Sequence, residues 1–179
     1  DVVLGPNLGF LVLSIAMFAL GLAGAYRALR PAGEDSAARR SFAFGCLVFA
    51  AATLALRAGF DALPLDLDQL NAAPWLQGTW LAVLCGLAGV PFFAAGIVIS
   101  GVLTLEPARI VPLYAVNLIA SAVGCATLVP LITPLGPGGA LWLASASAVL
   151  AAGLFARAPV PALLVAGGLA AAPFLHRPA

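Results

Sequence analysis

An all-α, polytopic transmembrane bundle of about six spans is the fold class this sequence predicts, on three observations. Of 179 residues, 63% are apolar and only 8% charged, against roughly 25% charged in ordinary soluble domains, so a water-facing surface cannot be built from this chain. The apolar residues gather into runs of helical spanning length, since about 20 residues are needed to cross a hydrocarbon layer of roughly 30 Å. Short polar stretches separate these runs, and the hydrogen-bonding demand of the backbone in lipid leaves helices or closed barrels as the spanning structures.

Taken in order, residues 8–25 form the first span, closed by Tyr26 and Arg27 at an interface. Residues 27–40, with Arg30, Pro31, Gly33, Glu34, Asp35 and Arg39, read as a solvated loop. The second span, 42–57, ends on Arg57, and the loop over 61–74 carries Asp66, Asp68 and Asn71 before Trp75 and Trp80, two indoles that suit an interface belt. The third run, 77–104, is too long for an upright span unless it tilts or bends. Pro91 supplies the bend by removing a backbone donor and displacing the carbonyl of Leu87. A fourth span, 112–130, gives way through Pro130 and Pro134 to the turn Gly136-Pro137-Gly138-Gly139, after which 140–156 and 160–175 form the fifth and sixth. These runs make residues 1–179 a single transmembrane domain, and a chain starting at Asp1 and stopping at Ala179 is expected to be a portion of something longer.

The charges sort by side. Loops after the first, third and fifth spans hold Arg27, Arg30, Arg39, Arg40, Arg109 and Arg157, while the opposite side holds Arg57 and Arg177. Loop arginines favour the cytoplasm, which predicts a multi-pass membrane protein with residues 27–40 inside. Near-zero net charge provides no basic field to hold nucleic acid against salt, so nucleic acid is excluded as a partner. Cys46, Cys85 and Cys125 each stand alone in an apolar run and read as buried inert thiols, and no metal or cofactor site is expected.

Few constellations suggest chemistry. Asp61, Asp66 and Asp68 resemble the start of a carboxylate cation site, but the central Gly and terminal Glu of a calcium loop are missing, and a solvated loop is the simpler reading. The stretch from Gly136 to Gly139 lacks the Lys-Ser/Thr of a phosphate cradle and reads as a turn. Arg57 either snorkels from its helix end or pairs with Asp61 four residues on. His176 is solitary, without partners for a catalytic triad. In the fourth span, Tyr114, Asn117, Ser121 and Gly124 share one helical face, with Ala120 and Cys125 beside them. That face is either a packing seam or a ligand or ion pathway past Asn117. As a seam, it would lie against the third helix near Gly96 and Ser100, which form a second small-xxx-small pair beyond Pro91.

The residues Pro91-Phe92-Phe93-Ala94-Ala95-Gly96-Ile97-Val98-Ile99-Ser100, then Glu106-Pro107-Ala108-Arg109-Ile110, then Leu113-Tyr114-Ala115-Val116-Asn117 through Gly124-Cys125, followed by Pro130-Leu131 and Gly138-Gly139, resemble the membrane domain of bacterial spermidine synthase-like membrane proteins. Residues 91–150 carry the resemblance, with a looser likeness in 8–24. It implies a multi-helix membrane region that precedes a cytosolic aminopropyltransferase-like domain. Where the family pattern has Asp and Gly, this chain has Asn117 and Ala120. The glycine-rich nucleotide loop and acidic residues needed for aminopropyl transfer are absent from these 179 residues.

The expected function is therefore non-catalytic: a membrane domain that anchors a fused soluble domain, or packs as a subunit against other membrane proteins in the bilayer. The alternatives are an accessory structural subunit of a larger membrane complex and a small transporter of a polyamine or other metabolite. A transporter calls for a polar cavity at mid-depth, whereas a structural subunit calls for a dry small-residue seam.

Overall fold

The computed structural model describes residues 4–30, 35–64, 72–105 and 107–175. Among them lie five α-helices: α1 (Leu4–Leu29), α2 (Asp35–Ala62), α3 (Pro74–Leu105), α4 (Ile110–Phe155) and α5 (Pro159–Leu175), with a 3₁₀ turn at Pro107–Arg109 before α4. The described residues are all-helical apart from short turns, and four helices are long and apolar enough to cross a membrane.

The expectation of six separate spans is corrected at two places. The fourth and fifth apolar runs are two helical segments that meet at a single residue, Gly136 (φ 67°, ψ 174°), within the 46-residue α4, with no loop between them. The last helix, α5, has 17 residues, fewer than the about 20 of a typical span. The anticipated four-residue turn shrinks to one residue for a local reason. The ring of Pro137 disfavours a helical ψ at the preceding position, and glycine accepts the positive φ that other residues resist. Pro137 itself then starts the next helical stretch, where a missing backbone donor costs nothing. Helices α1 and α2 also outrun the predicted spans, so residues 27–29 and 35–40 of the expected loop are helical. Hydropathy finds the segment that suits lipid, whereas polar residues such as Arg39 and Arg40 extend a helix readily beyond it.

Close approaches set the helix directions. Gly89 meets Ile15 and Gly96 meets Ala23, so α1 and α3 run parallel. Gly45 lies against Val98 and Gly59 against Leu87, so α2 runs antiparallel to α3. On the other side of α2, Gly138 sits beneath Arg57, the Ser145 hydroxyl donates to the Ala50 carbonyl at 3.3 Å, and Phe155 meets Phe42 edge to face at a centroid distance of 5.4 Å. The 137–155 half of α4 is therefore antiparallel to α2, and α5 packs back on it where Gly153 meets Ala162.

These seams use small residues, as association in lipid favours. Ala19, Ala23, Ala50, Ala94, Ala146 and Ala166 are all buried, and Phe42 is the largest side chain fully enclosed. Because α3 and the 137–155 half both end at the Phe42 end of the bundle, the intervening 110–135 half must travel from that end back to the Arg57 end. At 1.5 Å per residue it is about 39 Å long. It does so alone: residues 111–134 are exposed or half-exposed throughout.

The same directions bring six arginines to one end. Arg27 reaches Gly101 near the close of α3. Arg30 follows it on α1, Arg39 and Arg40 precede Phe42 on α2, Arg109 precedes α4, and Arg157 ends it. Arg57 stands at the opposite end.

Candidate functional site

The predicted polar face of the fourth span does not form a seam within this chain. Tyr114 and Ser121 are exposed, Asn117 is half-exposed, and a side chain added at Gly124 would meet nothing within 4 Å. The Ser121 hydroxyl turns back to the carbonyl of Asn117 at 2.8 Å on its own helix. Gly96 is a close-approach point as its spacing suggested, but its partner is α1: an added Cβ would come within 2.6 Å of Ala23 and 3.2 Å of Leu20. Ser100 donates to the carbonyl of Gly96 one turn back and links no second helix. The expected pairing of these two surfaces is thus corrected. The helix spacing was right for both, but α1 lies parallel to α3 and already fills the groove at Gly96. Pro91 is buried inside a continuous α3, and no hydrogen bond joins Asn117 to the carbonyl of Leu87.

Where polar chemistry does gather is the junction of α1, α2 and α3. Arg27 is 8% exposed although it ends an apolar helix. Its Nε donates to the Ile97 carbonyl at 3.2 Å, and the guanidinium carbon lies 5.3 Å from the centroid of the Phe42 ring, a cation–π arrangement. The Nη2 end rests by Gly101 and Phe42 and has no hydrogen-bond partner among the described residues. A buried donor left unpaired costs about 1–3 kcal/mol, and more when charged. Arg27 also lines a cavity of about 490 Å³, together with Tyr26, Arg30, Ser41, Phe44 and Phe93, and among the described residues no carboxylate lines it. Arg30 lies over the ring of Tyr26 at 5.8 Å, and Tyr26 in turn meets Phe93 edge to face at 6.3 Å.

Sequence reasoning placed Arg27 at an interface and overlooked its burial. The signal was present: Ala19, Ala23 and Arg27 recur every fourth residue, so the arginine continues the smallest face of α1. That face packs against α3 and carries Arg27 inward with it.

The remaining candidates divide. Arg57 does pair with Asp61, Nη2 to Oδ2 at 3.3 Å, with both partners well exposed, and it covers Gly138, which explains why that position of the turn has no side chain. Such an exposed pair contributes about 0.3–0.5 kcal/mol. Asp66, Asp68, Asn71 and His176 lie outside the described residues. Cys46 is buried and Cys85 half-buried, but Cys125 is exposed on the lone half of α4, which corrects the expectation of three buried thiols.

Comparison with family models, with curated proteins and with solved structures found no match to this chain.

Proposed function

We propose that this chain is a multi-pass membrane domain that acts by placement: an anchor or packing subunit whose 110–135 helix docks against another membrane protein or another part of a longer chain. The observation that carries this reading is that helix. Its exposed side chains are mostly apolar, it bears small residues at Ala115, Ala120, Ser121 and Gly124, and among the described residues no other helix covers it. Small-residue faces let helix backbones approach closely in lipid, and the bundle already uses such faces at every other seam. The resemblance to the membrane domain of spermidine synthase-like proteins supports an anchoring role of this kind in a bacterial inner membrane.

Against the alternative of a polyamine route stands the chemistry of the cavity at the α1–α2–α3 junction. Arg27 and Arg30 line it and no carboxylate does among the described residues, so a polycation would meet repulsion from the two arginines. Aminopropyl transfer by this chain alone is likewise not expected, since its sequence carries no glycine-rich nucleotide loop.

The test is photo-crosslinking in native membranes from a reactive residue placed at Val116 or Ile119, both 64% exposed. Discrete protein adducts are expected. Adducts to lipid alone at both positions would refute the docking role.

A further inference from the structure

We propose that the cavity between α1, α2 and α3 holds the phosphate of an anionic glycerophospholipid, with an acyl chain lying along the groove between α1 and α3. The inference rests on the chain being a membrane protein but not on the docking role of residues 110–135, so the two fail separately.

Three observations meet at this place. The first is charge. Arg27 and Arg30 border the cavity beside the Ser41 hydroxyl, and no carboxylate lines it among the described residues. Arg27 is 8% exposed and keeps Nη2 without an acceptor among the described residues. Nη2 itself is packed against Gly101 and Phe42, while Arg27 as a residue lines the cavity together with Arg30 and Ser41. Guanidinium groups match phosphate oxygens in a planar, bidentate fashion that a lysine cannot reproduce.

The second is shape. A separate apolar groove of about 530 Å³ is lined by Phe18 and Leu22 of α1 and by Gly89, Val90 and Phe93 of α3. Phe93 borders both spaces. On α1 the lining residues Ile15, Leu22, Tyr26 and Arg30 follow one helical stripe, so the groove runs from the cationic cavity towards the opposite end of the bundle. A phosphate at one end and a methylene chain directed away from it is the arrangement of a bilayer lipid. The absence of side chains at Gly86 and Gly89 leaves the floor of the groove open.

The third is location. The cavity lies at the end of the bundle where six arginines collect, which the charge rule assigns to the cytoplasmic leaflet, the leaflet rich in anionic lipid. A zwitterionic choline head fits less well. Its ammonium would be repelled by the two guanidinium groups of Arg27 and Arg30.

The experiment uses the purified full chain in non-ionic detergent, with binding read by native mass spectrometry and stability by thermal unfolding. Phosphatidylglycerol, phosphatidylcholine and inorganic phosphate are added in parallel. Phosphatidylglycerol is expected to stay bound and raise the melting temperature, phosphatidylcholine to bind more weakly, and inorganic phosphate to do neither. Arg30→Gln, at an exposed position that leaves the fold intact, is expected to weaken phosphatidylglycerol about tenfold. Arg27→Gln is expected to weaken it further, and Gly89→Leu to weaken it by filling the groove. If Arg27→Gln fails to fold, Arg30→Gln and Gly89→Leu carry the test. Equal binding of the two lipids would overturn the proposal, as would protection by inorganic phosphate equal to that by phosphatidylglycerol, or an affinity for phosphatidylglycerol indifferent to Arg30→Gln and Gly89→Leu.

Discussion

The two halves of α4 differ in almost nothing but their neighbours. Both are apolar and both are studded with Ala, Gly and Ser. In the 137–155 half, Gly138, Ser145 and Gly153 each touch another helix, and Ser145 is fully buried against the Ala50 carbonyl. In the 110–135 half, Gly124 has nothing within reach and Val111 is 77% exposed. Spacing of small residues therefore permits a seam without creating one. A seam forms where two such faces are brought together by helix direction, and the single break at Gly136 turns only the second half of α4 back onto α2.

This contrast is open to direct attack by substitution, with unfolding followed in detergent. The largest effect is expected at the α1–α3 seam. Gly96→Leu would drive a branched side chain into Ala23 and the backbone of Leu20, at a cost of about 3 kcal/mol. The matching Gly124→Leu, in open space, is expected to change monomer stability by no more than about 0.5 kcal/mol. Comparable losses at the two glycines would mean that residues 110–135 pack within the chain after all. A docked partner would show itself differently, as lost assembly with an unchanged melting curve of the Gly124→Leu monomer.

A smaller effect concerns the end of the packed half. Arg157 adopts φ 56°, and the Ala158 amide donates to the Gly153 carbonyl at 2.9 Å while the Arg157 amide donates to that of Leu154 at 3.2 Å. This is the Schellman arrangement, in which glycine normally takes the left-handed position. Arg157→Gly should therefore raise stability by about 1 kcal/mol. A loss instead would show that the arginine side chain contributes more than its backbone strain costs.

Next in size is Ser145→Ala. The hydroxyl bonds to Ala50 across the α2–α4 seam and also to Leu141 at 3.0 Å on its own helix, so its removal should cost about 0.6 kcal/mol, the average for interhelical hydrogen bonds in lipid. The corresponding change in the lone half, Asn117→Leu, is expected to lie below that, since Asn117 bonds to no other helix. A melting shift for Asn117→Leu larger than that of Ser145→Ala would point to a polar site on the 110–135 helix and revive the pathway reading.

Much of this molecule follows from the sequence by itself. The membrane-suited apolar helices are there because a segment's hydropathy is a property of that segment alone. The break at Gly136 follows from a glycine placed directly before a proline, and the gathering of Arg27, Arg30, Arg39, Arg40, Arg109 and Arg157 at one end follows from alternating helix directions. The Arg57–Asp61 pair, four residues apart on one helix, was legible as one of two alternatives.

What only the tertiary structure decided is which surfaces meet. Gly96, Gly101, Gly124 and Gly153 are equivalent in local sequence terms, yet three are closed by a neighbour and one is open. Pairing is a relation between distant segments, fixed when all helices pack at once, and no local spacing encodes it. The same reason hid Arg27. Its position on the small face of α1 was visible, but its burial required that face to pack on α3 and Phe42 of α2 to meet the guanidinium, leaving a cation at the edge of a cavity that no single helix contains.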